Sequence, residues 1–289
     1  MRQHWKVPFA IGGAWVILFY LLPLLVIATS SFATPDVIGR PTYGWTLNNY
    51  QLVFQDAYLP VIFRTFGYAL AATFFALLIA YPTAYAISRY GGRRKVVLLL
   101  FVLIPWLADY LVRIYAWVQI LGQEGPVLQF LRSVGMADAN STLLGTPGAL
   151  LMGLVYSFLP FMILTIFLAV EKLDTTLLEA ASDLYASPFQ SFLKVTLPLT
   201  AGGIISGCQL VFLLSLGDFA VAQFMGGSQY MIGNLIRDQL ASAGSLPFGA
   251  ALTVTLLVGL ILASTLVLIP RGIAQKMARR GAKEEKAHA

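Results

Sequence analysis

Apolar residues along this chain fall in long blocks separated by short polar connections. Neither the spacing of a surface helix nor the alternation of a half-buried strand describes them. Six blocks reach the roughly 20 residues that a helix needs to cross a bilayer core: Val7–Ser31, Ile62–Ile87, Val96–Leu121, Gly148–Val170, Leu199–Val221 and Phe248–Ile269. Backbone polar groups in lipid must bond within the protein, so each block predicts a helix. The expected fold is an all-α polytopic membrane protein with six transmembrane helices. Pro23, Pro82, Pro105 and Pro160 lie inside or at the edges of these blocks, and each predicts a kink. The first block follows Arg2 and Lys6; it is too long for a cleaved signal and lacks a small-x-small end, so it is expected to be retained as a span.

Charge orients the spans. Arg2 and Lys6 precede the first; Arg89, Arg93, Arg94 and Lys95 join the second to the third; Lys172 and Lys194 lie between the fourth and fifth; Arg271, Lys276, Arg279, Arg280, Lys283 and Lys286 end the chain. The other side carries only Arg40, Arg64, Arg132 and Arg237, with Arg113 left within a span. The positive-inside rule then predicts both termini in the cytoplasm. The connections near Thr34–Pro60, Gly122–Pro147 and Phe224–Pro247 face outward. The last of these contains an amphipathic stretch, Gly233–Leu240, that suits a short helix. The expected division is 1–61 for the first helix and outward loop, 62–270 for a core of five helices that includes the connection 171–198, and 271–289 for a basic cytoplasmic tail.

Composition agrees with lipid as the main solvent: of 289 residues 58% are hydrophobic and 11% charged, against roughly 25% charged in soluble domains. The net charge of +6 sits at the ends of apolar blocks and forms no stripe, so no nucleic-acid partner is expected. Cys208 is the single cysteine and falls in an apolar block, which excludes an internal disulfide and a zinc cluster. His4 and His288 are terminal, so no metal site and no histidine-based catalysis are expected. With no G-x-S-x-G or H-E-x-x-H motif either, an enzyme is disfavoured. An ion-driven carrier would commonly show two related halves, and no internal repeat is visible.

One polar island stands out, Glu179–Pro198 in the connection 171–198. Thr176-Leu177-Leu178-Glu179 and Ser187-Pro188-Phe189-Gln190 both fit capping boxes, the second with proline at the first helical position. They predict two short helices joined near Tyr185-Ala186. Phe189, Phe192 and Val195 recur every third residue and give the second helix an apolar face. No G-x-x-x-x-G-K-[ST] sequence occurs, so the chain has no phosphate-cradling loop of its own.

Glu179-Ala180-Ala181, Ala186 and Val195-Thr196-Leu197-Pro198 resemble the EAA loop of type I ABC importer permeases. The family's glycine position holds Tyr185: either the tyrosine is strained by a turn through positive φ, or the turn is built otherwise. The resemblance runs from about Asn48 to Ile269 and is nearest the spermidine/putrescine permease subfamily. It is carried by Leu111-Val112-Arg113-Ile114-Tyr115-Ala116-Trp117, Gly153-Leu154-Val155-Tyr156, Leu159-Pro160-Phe161, Leu216-Gly217-Asp218-Phe219, Gly226-Gly227, Met231–Ile236 and Pro247–Leu252. It implies that the island couples to a separate ATPase through Glu179, Ala180, Ala181, Asp183, Tyr185, Ala186, Phe189, Phe192 and Pro198. It further implies two copies of that ATPase, which hold the ATP and Mg, a sister permease subunit, an extracytoplasmic substrate-binding protein, and a place in the bacterial inner membrane. Glu179 and Asp183 would cap backbone groups or meet a basic residue of the ATPase.

Ionisable residues within spans are costly and therefore informative. Asp109 and Arg113 are one turn apart and can pair, while Asp218 closes the fifth block beside Phe219. With Tyr110, Tyr115 and Trp117 they are candidates for a substrate pathway, carboxylates neutralising ammonium groups and rings holding cations and methylenes. The alternative reading makes Asp109–Arg113 a structural pair and Asp218 a helix cap. Glu124 is expected to be a loop residue.

Overall fold

The computed structural model describes residues 12–138, 140–241 and 244–285, with side chains to residue 265. Arg2, His4, Lys6, Lys286 and His288 lie outside the described residues, as do residues 7–11 of the first expected span. The helices are α1 Gly12–Ser30, α2 Asn48–Val53, α3 Leu59–Tyr90, α4 Lys95–Leu107, α5 Tyr110–Leu121, α6 Pro126–Ser133, α7 Pro147–Glu171, α8 Thr175–Asp183, α9 Pro188–Gly217, α10 Ala220–Met225, α11 Ile232–Ala241 and α12 Leu246–Glu285. Two-residue strands β1 Thr34–Pro35 and β2 Pro41–Thr42 pair antiparallel. Among the described residues five helices are long and apolar enough to cross a membrane, or six if one bent pair counts as a span.

That bent pair corrects the third expected span. Val96–Leu121 is not one helix: α4 stops at Leu107, and Gly92–Leu107 and Tyr110–Ser133 stand at 89°. The break is not at Pro105, through which α4 continues. Ala108 is extended (ψ 150), and the Asp109 side chain accepts the Leu111 and Val112 N–H groups, starting α5 afresh. An N-cap carboxylate at this point satisfies amides that would otherwise be orphaned.

The prolines act in two ways. α3, α4 and α7 run through Pro82, Pro105 and Pro160. Pro23 and Pro198 instead follow π-turns, Ile17–Leu21 and Phe192–Thr196. In each the residue before proline donates its N–H five positions back, Leu22 to Ile17 O and Leu197 to Phe192 O. A proline has no N–H for the carbonyl four residues earlier and its ring crowds that carbonyl; the wider turn keeps the helix continuous. The second π-turn merges the island's second helix with the fifth span, so α9 is one helix from Pro188 to Gly217.

Packing divides the described chain into two units, residues 12–62 with Ile232–Thr265, and Phe63–Met231 with residues 266–285. In the first, a hairpin follows α1. Asp36 Oδ1 accepts the N–H groups of Ile38 and Arg40 at 2.9 and 2.7 Å, and Asn49 Nδ2 donates to Ser31 O and Ala33 O. Leu246 N–H donates to Gly39 O at 3.0 Å. The amphipathic stretch Gly233–Leu240 is helical, within α11.

The second unit is built around α7, whose Leu150, Leu154, Met162, Ile166 and Val170 are fully buried. α3 faces this core with Ala72, Ala76, Ala80 and Ala84, one every turn. α9 crosses α7 at glycines: a Cβ on Gly203 would sit 2.4 Å from Ala169 Cβ, and one on Gly207 2.4 Å from Thr165 Oγ1. Glu171, at the end of α7, accepts from Ser88 at 2.9 Å and from Lys95, joining the ends of α3, α4 and α7.

Candidate functional site

The polar island forms the two expected helices, with one start corrected. α8 is capped by Asp174, whose carboxylate accepts the Thr176 N–H at 3.0 Å, and not by Thr176 with Glu179. Bonds from Thr176 hold the Asp174 carboxyl below its ordinary value. The second box forms as read: Gln190 N–H donates to Ser187 Oγ, and Ser187 N–H to Gln190 Oε1.

Between the helices Tyr185 adopts φ 58, the one positive φ at a non-glycine among the described residues. Its N–H donates to Ser182 O at 2.9 Å, and Ala186 N–H to Ala181 O at 3.1 Å. This pair of bonds is a Schellman closure with Tyr185 at the left-handed position where glycine is usual. The expected strain is therefore present, and the turn keeps the shape a glycine would give it. The Tyr185 ring is 98% exposed, and Leu184 and Phe189 are also exposed. Glu179, Ala180, Asp183 and Pro198 lie on the surface and Ala181 and Ala186 are half-buried. Glu179 and Asp183 form no ion pair among the described residues.

Phe192 does not share the outer face with Phe189. Its ring stands edge-on to Tyr81 and Tyr85 of α3, at 5.5 and 6.3 Å. This side chain packs on the second unit's own core, so the expected face Phe189/Phe192/Val195 splits. Phe189 points out, while Phe192 and Val195 are half-buried.

The second group of candidates surrounds the α4–α5 break. A cavity of about 350 Å³ is lined by Trp106, Tyr110, Arg113, Phe161, Asp218 and Phe219, with Ser157, Phe158, Leu214 and Gly217. Asp218 is buried, at 7% exposed. Its Oδ1 accepts the Val221 N–H at 2.9 Å and its Oδ2 accepts from the Tyr110 hydroxyl. Asp218 thus caps α10 and ties α5 to the end of α9. Asp109 and Arg113 are not an ion pair: Asp109 is exposed and spends its carboxylate on the α5 cap. Arg113 instead lies over the rings of Trp106 and Tyr110, 5.8 and 5.5 Å from their centroids. Its Nε is buried with no hydrogen-bond partner. Tyr115 meets Phe224 tilted at 4.9 Å and Trp117 stands edge-on to Tyr156 at 5.2 Å, outside the cavity lining. Glu124 is an exposed loop residue whose carbonyl accepts from Gln129.

Sequence reasoning missed Trp106, Phe158 and Phe161 as cavity residues. Their signal was faint: each is one aromatic among many in an apolar block, and nothing local predicts that Trp106 meets Phe161, 4.9 Å between centroids.

These helices, with the broken span and the exposed two-helix loop, form the fold of an ABC importer permease subunit. The chain superposes with a TM-score of 0.71 over 91% of its length, and 91% of the other chain, on a subunit of a bacterial alginate ABC transporter solved with an alginate-bound periplasmic protein, at 15% identity. No protein-family model matches the chain. It is 38% identical over 251 residues to the spermidine/putrescine transport system permease protein PotB of Escherichia coli strain K12, covering 86% of this chain and 91% of the relative. It is 39% identical over 254 residues to PotB of Haemophilus influenzae, with 88% and 89% covered. The inner membrane ABC transporter permease YdcU of Escherichia coli is 35% identical over 265 residues, with 86% and 84% covered. The chain belongs to the PotB family of ABC transporter permeases. It is a multi-pass protein of the bacterial inner membrane.

Proposed function

We propose that this chain is the permease subunit of an ATP-driven, binding-protein-dependent importer of polyamines, spermidine, putrescine or a closely similar organic cation. The observation that carries the reading is the 38% identity to PotB across most of both chains. A cavity whose lining unites a buried carboxylate with five aromatic rings is the chemistry an alkylammonium cargo requires.

Both termini and the 171–198 loop lie in the cytoplasm in this reading, in line with the distribution of Lys and Arg. Two copies of a separate ATPase bind ATP and Mg and grip the loop. Tyr185, Phe189 and Leu184 offer exposed contact area there, and Glu179 and Asp183 offer charge for a basic residue of the ATPase. A sister permease completes the pathway and an extracytoplasmic binding protein delivers cargo. The core 62–270 rocks between inward-open and outward-open states as the ATPase pair closes. Because α9 continues from the loop into the span without a break, a push on Pro188 is carried as far as Gly217. Of the pathway candidates Tyr110, Arg113, Asp218 and Phe219 line the cavity; Asp109, Tyr115 and Trp117 support it from α5.

Purification of the tagged chain from its own cells tests the assembly. An ATPase subunit and a second permease should co-purify, and Phe189→Glu should release the ATPase while the permease pair stays together. Purification of the chain alone from intact membranes would contradict the reading.

A further inference from the structure

The cavity beside the α4–α5 break already contains a cation. The Arg113 guanidinium lies over both Trp106 and Tyr110, while its Nε is buried and bonds to nothing among the described residues. A buried N–H normally finds an acceptor. The carboxylate sharing the cavity, Asp218, is not its ion-pair partner but is held by Tyr110 and the Val221 N–H. Arg113 therefore rests on aromatic faces and its Nε stays unbonded. Those faces are what a primary ammonium on an alkyl chain would use. A second cation on the same rings would be repelled by the first, so the two compete for them.

We propose that Arg113 is the resident cation of this cavity, holding the place on Trp106 and Tyr110 that one ammonium group of the cargo takes in transit. Cargo enters by displacing the guanidinium, with Asp218 as the fixed counter-charge, and Arg113 returns to expel it. Exchange of one cation for another keeps the charge of the cavity constant. It also keeps cargo binding weak enough for release, which conduction through any transport site needs. Arg113 is thus a specificity and release residue. The inference rests on the reading that the cargo is a polyamine.

The test uses the purified complex of both permeases and the ATPase, without the binding protein, and labelled putrescine and spermidine. Equilibrium binding is measured beside ATP-driven uptake in proteoliposomes supplied with binding protein. Arg113→Gln should bind cargo roughly five-fold more tightly, the size of one cation–π contact regained, while its maximal uptake rate falls. Asp218→Asn should lose binding. If Arg113→Gln fails to assemble with the ATPase, Arg113→Met carries the test. It removes the charge and keeps a long flexible side chain, so a similar gain in affinity is expected. Unchanged or weaker binding in the arginine variant that assembles overturns the proposal, since a merely structural arginine would not tighten binding when removed. Failure of the wild-type complex to take up either polyamine would instead overturn the cargo reading.

Discussion

The Phe192 ring stands at 82° to that of Tyr81, with 5.5 Å between centroids. This contact seats the first turn of α9 on α3. Edge-to-face pairs contribute about 0.5–1.5 kcal/mol beyond the area they bury. Phe192→Ala should lower the thermal midpoint of the purified complex and reduce uptake, with the ATPase still bound. Phe189, exposed one turn away, should behave in the opposite way. Phe189→Ala should shift stability by less than about 0.5 kcal/mol but weaken co-purification of the ATPase. Thermal unfolding and pull-down on the two variants separate the inner ring from the outer one.

Tyr185 stores strain in the loop. A left-handed conformation costs an L-residue about 1–2 kcal/mol, and glycine avoids that cost at some expense in chain entropy. Tyr185→Gly should therefore make the corner more resistant to proteolysis between Leu184 and Ser187. Tyr185→Val, β-branched, should make it more sensitive. Cleavage rates on the intact complex in detergent read the order Gly, Tyr, Val directly.

The α7–α9 crossing depends on two glycines and not on their neighbour. Gly203→Val should abolish accumulation of the permease, because its Cβ would lie 2.4 Å from Ala169 Cβ and 2.9 Å from Thr165 O. Gly202→Ala, next in the chain, meets nothing within 4 Å and should accumulate normally. Membrane levels of the two variants decide the point.

Asp218 serves the fold whatever its proposed part in cargo binding. Asp218→Ala leaves the Tyr110 hydroxyl and the Val221 N–H without their acceptor, a loss of about 1–3 kcal/mol per buried group. Asp218→Asn keeps an acceptor oxygen and should unfold within a few degrees of wild type. Melting curves in detergent, taken beside the binding assay, separate the carboxylate's charge from its role as a cap.

Much of this architecture was legible in the sequence because lipid makes a simple demand. Long apolar blocks must be helices, and Ser187-Pro188-Phe189-Gln190 marks a helix start by local chemistry alone. The α4–α5 break was missed because apolar residues run on past it. Pro105 drew attention, while the true signal was Asp109 as an N-cap before Tyr110-Leu111-Val112. The cavity was only half legible. Tyr110 and Asp218 are 108 positions apart, and nothing local predicts that they meet. Phe192 looked like Phe189 by spacing; the rings of Tyr81 and Tyr85 on α3, far away in sequence, are what part them.

The central claim is that a separate ATPase drives cargo through this chain by way of the 171–198 loop. Its most direct test is spermidine uptake and ATP hydrolysis measured together on the reconstituted transporter, wild type against Glu179→Lys. Wild type should couple the two. Glu179→Lys should insert and assemble its permease pair, yet lose uptake while hydrolysis continues or becomes independent of cargo. Spermidine uptake by Glu179→Lys at the wild-type rate, with hydrolysis still coupled, would contradict the account.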